Sequence, residues 1–118
     1  MRLIDLQPHW VGLAPGHAIG LTFLCPDCVR AKVANPVRIG VLFDVPIGGE
    51  ILETLIGRSV AAMQAQLLAA HTDMLRWRRE GETFDTVTLM PSIDTSKHGH
   101  WHGFITRGEM SALDLYKP

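Results

Sequence analysis

The residues with the clearest chemical potential are Cys25-Pro26-Asp27-Cys28 and, far along the chain, His98-Gly99-His100-Trp101-His102. A Cys-x2-Cys spacing lets one tight turn aim two thiolates at a single ion about 2.3 Å away. The same spacing serves redox pairs, but those want a helix N-terminus that lowers a thiolate pKa. The stretch from Val29 to Pro36 promises only a short, weak helix. In a strand, side chains two apart point the same way, so His100 and His102 can approach one ion while Trp101 turns to the opposite face. Imidazole and thiolate together suit zinc, and two of each complete a tetrahedron. The spacing therefore predicts a Cys2His2 zinc site of Cys25, Cys28, His100 and His102, closed and structural, with no catalytic residue assigned. His98 shares the parity of the other two histidines. A set of three nitrogens and one sulfur, or a water in the fourth place, stays open for that reason. Asp27 and Asp94 are candidates to orient ligand imidazoles.

These ligands need elements to hold them. Ile19 to Leu24 reads as a strand that delivers Cys25 to its end, and Val37 to Val45 as a second, closed by Pro46 and the Gly48-Gly49 pair. From Ser59 to Arg79 the period changes. Val60, Met63, Leu67, Ala70, Met74 and Trp77 recur every three or four residues, which predicts one long helix with Ser59 as N-cap and Arg76, Arg78 and Arg79 at its negative end. His71 lies beside that stripe and reads as a packed histidine. Thr83 to Met90 alternates as a strand ended by Pro91 and Ser92. His100 to Thr106 reads as another, Arg107-Gly108-Glu109 as a turn, and Met110 to Leu115 as a last short strand. Residues 1 to 18, punctuated by Pro8, Gly12, Pro15 and Gly16, suit an irregular arm. The expected fold is α+β: a single domain over 1–118, a small, mainly antiparallel sheet crossed by one long helix and stapled by the Cys2His2 site. Roughly 75 residues separate the two halves of the staple, so metal binding should offset a substantial loop-closure entropy.

The run from Gly20 to Cys28, the stretch Trp77 to Leu89 with Pro91-Ser92-Ile93, and the block His100 to Glu109 resemble a family of small phage and prophage proteins. That family is catalogued as domain of unknown function 6527, and some members are labelled ammonia monooxygenase. The three blocks stand in the family's order, and the likeness runs from about His9 to Met110. The resemblance implies a phage or prophage origin and a pairing of the two cysteines with the final histidine block. It implies no established activity. An oxygenase has little physical support here, since neither a membrane span nor a copper cage is visible in the sequence.

Composition narrows the partners. A formal net charge of -1 over 118 residues argues against general polyanion binding. The local exceptions are Arg30, Lys32 and Arg38, and the group Arg76, Arg78 and Arg79. The opening MRLIDLQPHW is too short for a signal peptide and no apolar run is long enough to cross a bilayer, so a cytoplasmic protein with reduced cysteines is expected. With 19% charged residues, three Trp and four Phe, the surface has room for self-association. The leading expectation is a metal-stabilised phage accessory protein, not an enzyme, acting through a host protein, a phage protein or a second copy of itself. One alternative is a zinc hydrolase in which Glu80, Glu82, Asp85 or Asp94 serves as base beside an open metal position. Another is a nucleic-acid-binding zinc module. A Cys2His2 finger, however, normally gathers its ligands within about 30 residues, and here they span most of the chain.

Overall fold

The computed structural model describes residues 1–12, 17–48, 68–69 and 76–112. Among the described residues, eight strands form two four-stranded sheets. The first orders β1 (His9–Val11), β2 (Ala18–Leu24), β3 (Arg38–Ile47) and β4 (Leu68–Ala69). The second orders β5 (Arg78–Glu80), β6 (Thr88–Asp94), β7 (His102–Thr106) and β8 (Glu109–Ala112). All neighbours are antiparallel except β3 and β4. A single α-helical turn, α1 (Pro26–Arg30), leads out of β2, and 3-10 turns occupy Leu3–Leu6 and Ser96–His98.

Alternation explains how the two sheets share one core. Leu21 and Phe23 of β2 and Ile39, Val41 and Phe43 of β3 all face inward and are buried. Leu89 and Ile93 of β6, Ile105 of β7 and Met110 of β8 meet them from the second sheet. On β6, Leu89 pairs with Ile105 and Ile93 with Gly103. Met90 to Ser92 thus oppose Phe104 alone, two extra residues that bulge the strand without turning either apolar side chain away from the core. Leu3 and Leu6, one 3-10 turn apart, also lie in this core. Each such side chain contributes about 1.5–3 kcal/mol by leaving water.

Among the described residues the expected long helix is not present. Among the described residues the only α-helix is the five-residue α1. Inside the span assigned to the helix, Leu68–Ala69 pairs in parallel with Ile39–Gly40, Trp77 bridges Phe43, and Arg78–Glu80 is β5. The remainder of that span, including Ser59 and His71, lies outside the described residues. The edge of β3 explains the C-terminal part. Its unpaired backbone groups take Trp77, whose N–H donates to the Leu42 carbonyl at 2.8 Å while Asp44 N–H donates to the Trp77 carbonyl at 2.8 Å. Backbone pairing and burial of the Trp77 ring outweigh the weak helical preference of the local sequence. The expected irregular arm instead holds the 3-10 turn at Leu3–Leu6 and strand β1, and strand boundaries also move. Thr83 to Thr86 is a turn rather than strand, and β6 runs on through Pro91 and Ser92 to Asp94.

Candidate metal centre

The cysteine half is local. The last residue of β2 is followed by Cys25, whose N–H donates to the Val37 carbonyl at 2.7 Å, closing the connection to β3. Cys25 is then the N-cap of α1, with Pro26 in the first helical position, where its missing N–H costs nothing. Val29 N–H donates to the Cys25 carbonyl at 3.1 Å, so Cys25 and Cys28 stand on one α-helical turn. Both are free and buried.

The histidine half depends on a loop. Thr95 is fully buried, and its N–H and hydroxyl both donate to the Trp101 carbonyl. Between them the chain makes a 3-10 turn, and Gly99, at φ 76, reverses its direction. A glycine meets that left-handed conformation without strain. His100 N–H donates to the Thr95 carbonyl at 3.2 Å, and its ring Nδ1 lies 3.4 Å from Cys28 Sγ. The donor atoms of Cys25, Cys28 and His100 all lie within 4.8 Å of one another, with His100 alone half-buried. A cluster able to coordinate a metal ion is thereby formed from segments on opposite sheets.

The backbone is also arranged around Cys25. Burial pushes its thiol above the ordinary 9.0, opposed by backbone N–H groups of Cys28, Trp101 and Asp27 directed at the sulfur. Hydrogen bonds of that kind favour the thiolate, the form a metal requires. Trp101 contributes from the far side of the site. Its indole is fully buried and meets Phe23 edge-on, with ring centroids 5.9 Å apart and planes at 89°. The same residue thus packs its ring into the core and aims its N–H at the first cysteine. Gly103 leaves room for the ring: a Cβ there would stand 2.5 Å from it.

The four-ligand set is corrected to three. His102 opens β7, paired with Asp94, whereas His100 and Trp101 precede the strand. Two-residue parity does not apply across that boundary, so the two imidazoles diverge. His102 Nε2 lies 3.2 Å from Ser92 Oγ, and its Nδ1 lies 3.9 Å from an Asp94 carboxylate oxygen. His98 is exposed at the end of the 3-10 turn and does not join the cluster. Asp94 instead accepts from the Ser96 N–H and hydroxyl, while Asp27 pairs with Arg30. The contribution of Trp101 was missed in the sequence. Only its position between the two histidines marks it, and periodicity assigns it to packing alone.

Fold and site define a small α+β domain of two largely antiparallel sheets carrying in its core a Cys2His cluster able to coordinate a metal ion. No family model matches the chain, and no match was found among curated proteins or solved structures. Among the described residues, no helix is long and apolar enough to cross a membrane.

Proposed function

We propose that Cys25, Cys28 and His100 hold a zinc ion whose main task is to staple the two sheets of a phage or prophage accessory protein that acts by binding another protein. The carrying observation is the convergence of three donor atoms within 4.8 Å from the β2–α1 segment and the β6–β7 connection. Two thiolates and an imidazole are a donor set matched to zinc. Burial of both sulfurs, with backbone N–H groups directed at Cys25, suits a retained ion. The likeness of the cysteine and histidine blocks to the phage family supports the origin.

Several side chains offered for other functions are engaged elsewhere. Glu80 pairs with Arg78 and Asp85 with Arg2. Arg79 donates to the carbonyls of Val45 and Gly81 and stacks over Phe43, and Arg76 donates to the Phe43 carbonyl. The arginine group therefore binds its own β3–β5 corner, which weakens a nucleic-acid reading. Exposed Met90 and Phe104 supply apolar surface on the second sheet for a protein contact.

Native mass spectrometry of protein purified without added metal is the test. Retained zinc, lost on Cys25→Ala and kept on His98→Ala, is the expected result. Absence of zinc from the wild type, with no uptake on titration, would remove the proposal.

A further inference from the structure

We infer that the same cluster is a peroxide-sensitive switch, in which oxidation of Cys28 and then Cys25 to a disulfide releases the ion and uncouples His100. This rests on the metal reading above and adds a chemical way of undoing it. The first observation is where the ligands sit. Both sulfurs belong to one turn, whereas the nitrogen belongs to the β6–β7 connection of the other sheet. The Val29 to Cys25 hydrogen bond holds the cysteines in α-helical spacing, which places their Cα atoms roughly 5–6 Å apart, within the range of a disulfide. Closing that bond therefore leaves α1 in place while removing the sulfur ligands that tie it to His100.

A second observation sets the order. Cys25 is fully buried and backbone N–H groups from both halves of the site are directed at its sulfur. Hydrogen bonds to a thiolate draw its charge inward and lower its nucleophilicity. Cys28 instead keeps 7% exposure and stands beside the half-buried ring of His100. The Cys28 thiolate attacks one oxygen of hydrogen peroxide, the O–O bond breaks, and Cys28 sulfenic acid and hydroxide form. The Cys25 thiolate then attacks the Cys28 sulfur and expels a second hydroxide. Two sulfurs lose two electrons in all, and these reduce the peroxide.

The experiment treats zinc-loaded wild-type protein with hydrogen peroxide. It follows zinc with a chromogenic chelator, disulfide by intact mass, and early sulfenic acid by dimedone labelling with fragment sequencing. Expected are stoichiometric zinc loss in step with loss of two hydrogens, first label on Cys28, and recovery with dithiothreitol and zinc. Amide exchange between Thr95 and Gly103 should rise severalfold in the oxidised form. Exposed Met1 and Met90 serve as internal gauges of dose. Zinc retained after they are oxidised, zinc lost without a disulfide, or first label on Cys25 would each overturn the switch. Protein that never takes up zinc would overturn the centre itself, a result distinguishable before peroxide is added.

Discussion

The two halves of the metal centre are built in opposite ways. Cys25 and Cys28 share one helical turn with a proline in its first position, so their relation is set within four residues. His100 owes its position to a buried threonine that binds back to Trp101, a glycine at φ 76, and a tryptophan packed against the other sheet. One half is a local motif; the other is a product of packing. A local half should fail when a ligand is removed, whereas a packed half should also fail through residues that never touch the ion.

The largest effect should come from the local half. Cys25→Ala removes a thiolate ligand and the acceptor for converging N–H groups, so zinc affinity should fall by more than ~100-fold and the melting temperature with it. Competition with a chelator and calorimetry read both. Gly103→Ala tests the packed half without touching a ligand. The added methyl would collide with the Trp101 ring and the Ser111 carbonyl, so we expect a loss of about 1–3 kcal/mol or more in chemical unfolding. It should also weaken zinc binding, because displacing the ring shifts the Trp101 backbone, whose N–H is directed at Cys25.

Thr95→Val sharpens the same point more gently. It removes the buried hydroxyl that donates to the Trp101 carbonyl, at an expected cost of about 1–3 kcal/mol in unfolding. The smallest effect belongs to His102→Ala. That variant should keep its zinc and lose no more than about 1 kcal/mol, the value of its contact with Ser92. Loss of zinc in His102→Ala would erase the distinction between the histidines.

Acidity separates the two states of the site. The raised Cys25 pKa means the metal-free fold favours the neutral thiol. Stability from that preference is fully present below the ordinary 9.0 and is lost as pH rises through the raised value. Zinc needs the thiolate, so its affinity should rise as pH increases from 6 toward 9, with proton release measurable by calorimetry in buffers of different ionisation enthalpy. The metal-free protein alone should lose stability at alkaline pH.

The same contrast explains what could be read in advance. The Cys-x2-Cys pair and the strands around Leu21 and Ile39 follow from local spacing and alternation, and the structure places them close to where those patterns did. The long helix failed at its C-terminal end, where Trp77 pairs with the open edge of β3 although its spacing also fits a helical stripe. His102 failed for a related reason. Parity requires a continuous strand, and β7 begins only at that residue. Gly99 was a visible warning of the break.

By itself the sequence determined the donor chemistry, a pair of thiolates on one turn with imidazoles available elsewhere, because side-chain type and short-range geometry are written residue by residue. Only the tertiary structure decided which histidine meets the sulfurs and which residues brace it. That choice rests on how Trp101 packs against Phe23 and how Thr95 closes the loop. The Phe23–Trp101 contact joins residues on opposite sheets, and no local pattern encodes the distance between them.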